Sequence, residues 1–248
     1  MGLLGAVEPG AGHLSVVVAD PGAELLALVT GPGDPPPSTA TPAQQRQADL
    51  VRRRFSLALP PPFVGPPSSE EPIRVAEAHD GPAIAAIKWR AFGASYRGGI
   101  LPDRFLDQRD IVPPASYWVG RAMVPPSRRH HLLVWGRPGT VHGYLDAGPA
   151  HRDDAGPAGE VGEVFELYVD PTAQGRGGGR RLLAEAEARL AASGFATAEL
   201  SALEGNGAAH RFYRAAGWEP TGEVIDVDLG VVAFREVRFR RRLGGGRP

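Results

Sequence analysis

The stretch Val169-Asp-Pro-Thr-Ala-Gln-Gly-Arg-Gly-Gly-Gly-Arg-Arg-Leu-Leu183 is the most informative part of this 248-residue sequence. An apolar, strand-like segment runs into a glycine-rich turn, which opens into a segment with helical spacing of apolar residues. Glycine permits positive φ and close approach of the backbone, and the first N–H groups of a helix lack intrahelical partners. The stretch therefore predicts a phosphate-binding turn or, in a purely structural interpretation, a glycine-rich connection between strand and helix.

The spacing of the glycines excludes two common phosphate loops. No Lys-Ser/Thr pair follows them, so the turn is not a Walker A loop. Counted from Gly175 and Gly177, the third glycine of a dinucleotide fingerprint falls on Arg180. Gln174, Gly177 and Gly179 instead match the pattern Q-x-x-G-x-G.

The flanking sequence predicts a mixed α/β fold, because strand-like and helix-like segments alternate irregularly on both sides of the turn. Asp80 is the predicted N-cap of the first helix. The predicted strands are 73–77, 131–135, 141–145, 160–169, 196–200, 218–228 and 231–240, and the predicted helices are 82–94, 102–110, 177–193 and 206–216.

Proline divides the chain into a folded part and an extension. Eleven of the 25 prolines lie between Gly31 and Pro72, a density that removes too many backbone donors for a sheet. We therefore expect an N-terminal extension and Pro-rich linker over 1–72, a folded domain over 73–241 and a tail over 242–248. Strand-like segments at 14–18 and 25–29 and a helix-like segment at 44–57 leave open whether the extension is ordered.

Composition narrows the classes of partner. The formal net charge is −1, which offers no general attraction for nucleic acid or anionic lipid. The chain has no cysteine, and no apolar stretch approaches the roughly 20 residues needed to cross a membrane. These features, with no secretory signal pattern, predict a cytoplasmic protein without a metal site. Lys88 is the single lysine among 27 basic residues.

The pattern Q-x-x-G-x-G, with two further motifs, resembles the GNAT superfamily of acetyl-CoA-dependent N-acetyltransferases over residues 73–241. The run from Asn206 to Trp218 matches the family's N-x-x-A-x-x-x-Y-x-x-x-G-F/W helix, and the run from Trp89 to Leu106 is similar to its W-R-x-x-Y-x-G-x-L-P segment. The resemblance implies a GNAT-type twisted mixed β-sheet flanked by helices. It also implies a V-shaped slot for acetyl-CoA, formed where adjacent strands separate after Leu167.

The resemblance also implies roles for individual residues. Tyr213 corresponds to the tyrosine that protonates the departing thiolate, a reasonable donor because a phenol titrates near 10. The residues implied to bind the cofactor are Leu167, Tyr168 and Val169 before the turn, Gln174, Gly175, Arg176, Gly177, Gly178, Gly179 and Arg180 within it, and Asn206 and Ala209 on the later helix.

The general base is predicted among the glutamates of the strand before the turn. By simple alternation Glu163 and Glu166 face opposite sides of the strand. Glu163 is favoured, because it lies four residues before Leu167, where several members of the family carry a glutamate base. Glu166 is the second candidate, and a solvated charge is the structural interpretation of either.

Several alternatives stay open on the sequence. The turn also fits a non-catalytic acyl-CoA-binding module or another nucleotide-binding fold. Trp89, Tyr96 and Phe105 either line an acceptor pocket or belong to the core. The acceptor amine has no recognisable signature, and the final strands offer an edge for a homodimer.

Overall fold

The computed structural model describes residues 70–108, 112–150 and 161–244. The segments predicted at 14–18, 25–29 and 44–57 lie outside these residues, as does the stretch 151–160. The elements within them are β1 (Ile73–Val75), α1 (Gly81–Tyr96), α2 (Asp103–Leu106), α3 (Ala115–Met123), β2 (His131–Arg137), β3 (Thr140–Pro149), β4 (Val161–Val169), α4 (Gly178–Ala192), β5 (Thr197–Leu203), α5 (Gly207–Ala215), β6 (Glu219–Asp228) and β7 (Ala233–Arg242).

These strands form a seven-stranded mixed sheet in the order β1-β2-β3-β4-β5-β7-β6. Every pairing is antiparallel except the central one, in which β4 and β5 run parallel. The strand order confirms the predicted mixed α/β class. Beyond the end of β7 the backbone N–H of Leu243 still donates to the carbonyl of Ala196 at 2.9 Å, and Leu243 is buried.

Helices cover both faces of the sheet. On one face α4 and α5 pack on the largest core cluster, which includes Leu133, Leu145, Leu182 and Phe239. On the other face α1 and α3 pack on a second cluster that includes Ile84 and Trp118. We call this second side the α1 face. A third cluster, with Tyr96, Phe105 and Leu203, lies where α1 and α2 meet the β5–β7 part of the sheet.

A β-bulge changes the direction of the side chains within β4. Asp146 pairs with Glu166 but the next residue, Ala147, pairs with Val164, so Phe165 is an extra residue in β4. Val164 and Leu167 consequently both pack on the α4 core although they are three residues apart. The predicted alternation is therefore wrong here: the bulge places Glu163 and Glu166 on the same face, the α1 face.

The central strands separate early. The parallel pairing of β4 with β5 covers only three residue pairs and ends at Glu163 opposite Glu199. The predicted slot is present, but it opens after Glu163 and not after Leu167. Beyond that point β4 keeps its pairing with β3 up to Val169, so one of its edges is backed by β3 while the other is open.

The start of α1 also differs from expectation. Asp80 is the residue before the helix, but its side chain makes no capping hydrogen bond. Its carboxylate instead accepts two hydrogen bonds of 2.7 Å from the Arg74 guanidinium and one of 2.8 Å from the backbone N–H of Glu77. Asp80 thus fixes β1 against the beginning of α1.

Within the described part of the chain, no helix has the length and apolar character required to cross a membrane.

Candidate active site

The glycine-rich turn has the conformation that a phosphate loop requires. Gly175 and Gly177 adopt φ of 77° and 82°, in the left-handed region, and Gly177 is the residue from which α4 begins. Gly178 lies directly on the indole of Trp135, where an added Cβ would come within 2.1 Å of Cε3. Consecutive glycines normally weaken a first helical turn. Here Gly177 provides backbone freedom and Gly178 provides space.

Side chains hold the turn at its β4 end. The carboxylate of Asp170 accepts hydrogen bonds from the backbone N–H and hydroxyl of Thr172, and two more, of 2.9 and 2.5 Å, from the Arg90 guanidinium on α1. Burial raises the pKa of Asp170, but these hydrogen bonds outweigh it, and the pKa lies below its ordinary value. Gln174 donates to the carbonyl of Val169 at 3.2 Å. The turn is therefore fixed to the end of β4.

The residues predicted to bind the cofactor lie along the open edge of β4 and at the start of α4. Leu167 and Val169 direct their side chains into the core under α4, and Tyr168 directs its side chain to the α1 face. Their backbone groups on the β5 side have no strand partner, because the β4–β5 pairing has ended. The first N–H groups of α4 likewise lack intrahelical partners. These groups fit an extended amide chain with a pyrophosphate at its end.

The remaining predicted loop residues surround this position. The side chains of Gln174, Arg176 and Arg180 are exposed, and Gly179 packs loosely beside Val169 and Phe212. Asn206 precedes α5, and its side-chain oxygen accepts a hydrogen bond from the Ala209 N–H at 3.1 Å. Asn206 therefore caps this helix.

Tyr213 lies on α5 with its ring in the core. The ring contacts Phe212, Trp218 and Phe239 at centroid distances of 5.2, 6.4 and 5.8 Å. Burial, and to a smaller extent the proximity of Tyr96, raises the pKa of Tyr213 well above its ordinary value. The phenol is consequently a neutral donor throughout the physiological pH range.

Tyr96 joins the two sides of the sheet through its hydroxyl group. It interacts with Tyr168 on β4 and with the side chain of Asn206, and burial raises the pKa of Tyr96. The hydrogen bonds with Tyr168 and Asn206 lower the pKa of Tyr96 and partly offset the effect of burial. Asn206 therefore connects α5 to α1 as well as capping α5.

Glu166 and Glu163 have different surroundings on the α1 face. One carboxylate oxygen of Glu166 contacts the ammonium of Lys88, and the other accepts a 2.5 Å hydrogen bond from the Tyr144 hydroxyl. The Lys88 side chain is 3% exposed, and its ammonium lies 5.0 Å from the centre of the Tyr168 ring. Glu163 lies where the β4–β5 pairing ends and is half-buried.

A second ion pair lies next to Glu166. Asp146 on β3 receives two hydrogen bonds of 2.9 Å from the Arg121 guanidinium on α3. Burial raises the pKa of Asp146 to about 6, although Arg121 opposes the shift. The region therefore contains buried charges of both signs behind the open edge of β4.

Two residues of this region were missed by the sequence interpretation. Lys88 had a visible signal, because it is the single lysine of an arginine-rich chain. Glu236 on β7 had none, because only the strand order brings it near Tyr96. Of the three aromatic residues considered for an acceptor pocket, Tyr96 and Phe105 are buried in the third cluster and Trp89 is 39% exposed.

Within the described residues no group of three or more His, Asp or Glu side chains is arranged to hold a metal ion.

Comparison with known proteins relates this geometry to an activity. The sequence profile of the acetyltransferase (GNAT) family matches residues 84–218. A mycothiol acetyltransferase of Cellulomonas flavigena is 31% identical over 208 residues, which cover 80% of this chain and 55% of that protein. The chain thus spans about half the length of this curated relative.

Solved structures show the same fold. The structure of YncA from Salmonella typhimurium with its cofactor acetyl-CoA superposes with a TM-score of 0.52 at 23% identity, covering 72% of this chain and 97% of that one. The PaiA N-acetyltransferase of Thermoplasma acidophilum, in complex with coenzyme A, gives a TM-score of 0.54 at 16% identity, covering 69% and 98%.

The family match excludes one alternative that the sequence left open, a nucleotide-binding fold of another kind. It spans α1 to α5, and so includes the open edge of β4, the glycine-rich turn and Tyr213. Acetyl-CoA is the acetyl donor that this family uses. The chain belongs to the GNAT family of acetyltransferases.

Proposed function

We propose that this protein transfers the acetyl group of acetyl-CoA to the amine of an acceptor by direct attack. The observation that carries the proposal is the early end of the β4–β5 pairing at Glu163 and Glu199, beside a helix that begins at Gly177. This combination leaves backbone donors and acceptors open in a line that ends at a helix N-terminus.

The binding roles follow from the positions of the open groups. Backbone groups of Leu167, Tyr168 and Val169 hold the amide arm of the donor, and the N–H groups from Gly175 to Arg180 hold its pyrophosphate. Arg176 and Arg180 are exposed beside the turn and add positive charge.

Proton transfers accompany the reaction at both reactants. The acceptor ammonium first gives one proton to a base, so that the neutral nitrogen can bond to the acetyl carbon. As the carbon–sulfur bond then breaks, the sulfur takes a proton from a donor, and the nitrogen releases the proton that restores this donor. We assign the second transfer to Tyr213, whose buried phenol is neutral and able to donate. Asn206 and Tyr96 support this position by linking α5 to α1.

We assign the first transfer to Glu163, acting through water. A protonated alkylamine titrates near 10, so the acceptor must lose a proton before it attacks. The bulge at Phe165 supports Glu163, because it directs this side chain to the same face as Glu166. Both oxygens of Glu166 are already engaged, by Lys88 and Tyr144, which disfavours Glu166 as a proton acceptor.

The acceptor is sought by assaying acetyl transfer to representatives of several chemical classes of amine. The name of the Cellulomonas flavigena relative makes the mycothiol series one class to include, beside small alkylamines, amino-acid amides, aminoglycosides, polyamines and peptides. The open β6 edge is also consistent with the predicted homodimer, which sedimentation would test.

Calorimetric titration with acetyl-CoA, with ADP and NAD as controls, tests the donor site. Selective binding at about micromolar strength, together with thiol release that depends on an added amine, is the expected result. A folded protein that binds acetyl-CoA no better than ADP contradicts the donor site. Binding without amine-dependent thiol release for any acceptor class contradicts the transfer activity.

A further inference from the structure

Glu236 is a carboxylate near the tyrosines of the site that the assigned chemistry does not use. It lies on β7 opposite Leu203 of β5, so both side chains lie on the same face of the sheet. Leu203 and Phe234, two residues before Glu236, pack in the third cluster with Tyr96. The charge of Glu236 acts on Tyr96 and raises its pKa.

Along the strand direction, Glu236 lies at the same position as the open part of β4. Glu163 of β4 pairs with Glu199 of β5, and Glu236 of β7 pairs with Leu203, which lies four residues further along β5. At about 3.3 Å per residue the two positions are roughly 13 Å apart. Glu236 thus lies across the gap from the Leu167–Val169 end of β4, and Glu163 lies at the closed end of the gap.

The charge of Glu236 is poorly compensated. Its carboxylate makes no hydrogen bond or ion pair with any residue in 70–108, 112–150 or 161–244. The charge of Arg238 acts on Glu236, but its guanidinium is already paired with Glu199 at 3.3 Å and Glu223 at 2.9 Å. Burial therefore dominates and raises the pKa of Glu236, while Arg238 only partly lowers it.

A half-buried carboxylate among aromatic walls is suited to one kind of ligand. Burial of an isolated carboxylate is unfavourable because the charge loses its hydration. A bound cation offsets this free energy through a charge-assisted hydrogen bond. Tyr96 and Phe234 provide apolar surface beside it for the carbon chain of an amine. Glu236 remains reachable, since it is only partly buried.

We propose that Glu236 binds the protonated amine of the acceptor, so that the acceptors of this protein are cationic alkylamines and not neutral or anionic amines. The proposal rests on the acetyl-transfer function proposed above and assigns the acceptor class to the same site. Glu236 is a binding residue in this scheme and takes part in neither proton transfer.

Initial-rate kinetics at pH 7.5 test the proposal with three cationic probes, phenethylamine, 1,4-diaminobutane and glycinamide, and with aniline as the neutral probe. Glu236→Gln should raise the KM of the best cationic probe by about 10- to 100-fold while kcat changes less than about threefold. The KM values for acetyl-CoA and aniline should not change. Glu236→Asp should recover part of the loss.

Glu204→Gln is the matched control, because Glu204 is exposed and pairs with Arg235 on the same strand as Glu236. It should leave every constant unchanged. Equal loss for phenethylamine and aniline, unchanged KM in Glu236→Gln, or preference of the wild type for aniline overturns the proposal.

Calorimetric titration of the CoA-loaded protein with the same probes separates this proposal from the transfer function. Binding of a cationic probe that is lost in Glu236→Gln supports the site even without turnover. Failure of the loaded wild type to bind any of the three cations overturns the site. Failure to bind acetyl-CoA overturns only the donor site.

Discussion

At the scale of single residues, the surroundings of Tyr213 keep its phenol protonated, as its proposed role of proton donor requires. Its ring is fixed by Phe212, Trp218 and Phe239, and its hydroxyl is buried near Tyr96. Because burial raises the pKa of Tyr213 well above its ordinary value, the phenol does not ionise as the pH rises from 7 to 9. The alkaline side of a rate profile should therefore show no loss caused by this residue.

Tyr213→Phe removes the donor and keeps the packing of the ring. The value of kcat should fall by about 10²- to 10⁴-fold, as expected when a positioned proton donor is lost. The dissociation constant for acetyl-CoA and the melting temperature should change little. A rate within about threefold of the wild type would show that the thiolate obtains its proton elsewhere.

Lys88 and Glu166 form a buried pair whose partners depend on each other. The Glu166 side chain is 10% exposed, and Lys88→Met removes its cation while the hydrogen bond from Tyr144 stays. We expect a loss of about 3–5 kcal/mol in the free energy of unfolding, as for other broken buried pairs. Urea denaturation measures it, and Lys88→Met combined with Glu166→Gln should recover part of the loss.

The matched control for this pair is Arg137→Met. Arg137 also pairs with a glutamate, Glu71, but its side chain is 72% exposed. The cost of removing it should be at most about 1 kcal/mol. Equal costs for the two variants, or additive effects in the double variant of Lys88 and Glu166, would show that the buried pair is not coupled.

At the scale of elements, the start of α4 depends on close contact with β2. Gly178→Ala places a methyl group within 2.1 Å of the Trp135 ring, which has no room to move in the core. We expect at least a tenfold weaker binding of acetyl-CoA and a lower melting temperature, because the helix must shift away from the sheet.

Gly179→Ala is the control at the next position. The added methyl group there meets its nearest neighbour, a Val169 methyl carbon, at 3.4 Å, an ordinary contact. Since alanine also favours a helix by up to about 1 kcal/mol over glycine, the melting temperature should stay equal or rise. If both variants lose stability equally, the close contact at Gly178 is not the reason for the glycine.

At the scale of the whole molecule, Asp146 makes stability depend on pH. Its pKa is about 6 in the folded protein, against an ordinary value of 3.8, chiefly because of burial. Between these values the folded state holds a proton that the unfolded chain has released. The stabilising contribution is therefore complete below pH 4 and is lost as the pH rises through 6.

Asp146→Asn removes this dependence because asparagine does not ionise. Measured by urea denaturation, the variant should gain on the wild type by up to about 3 kcal/mol between pH 4 and pH 7. Glu204→Gln, at an exposed position, should show no such trend. A constant difference, or a relative loss on going to pH 7, would contradict a raised pKa.

The sequence was sufficient for the fold class and the loop but not for the directions of the glutamates. The glycines act through their own φ and Asn206 acts through one hydrogen bond to a nearby residue. Because both effects are local, the spacing of these residues in the sequence is enough to predict the turn and the start of the helix. The bulge at Phe165 depends on the register with β3, which no local pattern encodes. Glu236 approaches Tyr96 only because β7 lies between β5 and β6.

The burial of the single lysine has a practical consequence for identifying substrates. Lys88 is enclosed and bound to Glu166, so the folded protein offers no accessible ε-amino group to its own reaction or to amine-directed labels. An acetyl-lysine signal in a mixture of this protein with candidate polypeptides therefore originates from the candidates. When such a mixture is analysed by mass spectrometry, the acetyl-lysine signal can be assigned to the candidate polypeptides without correction for acetylation of the enzyme's own lysine.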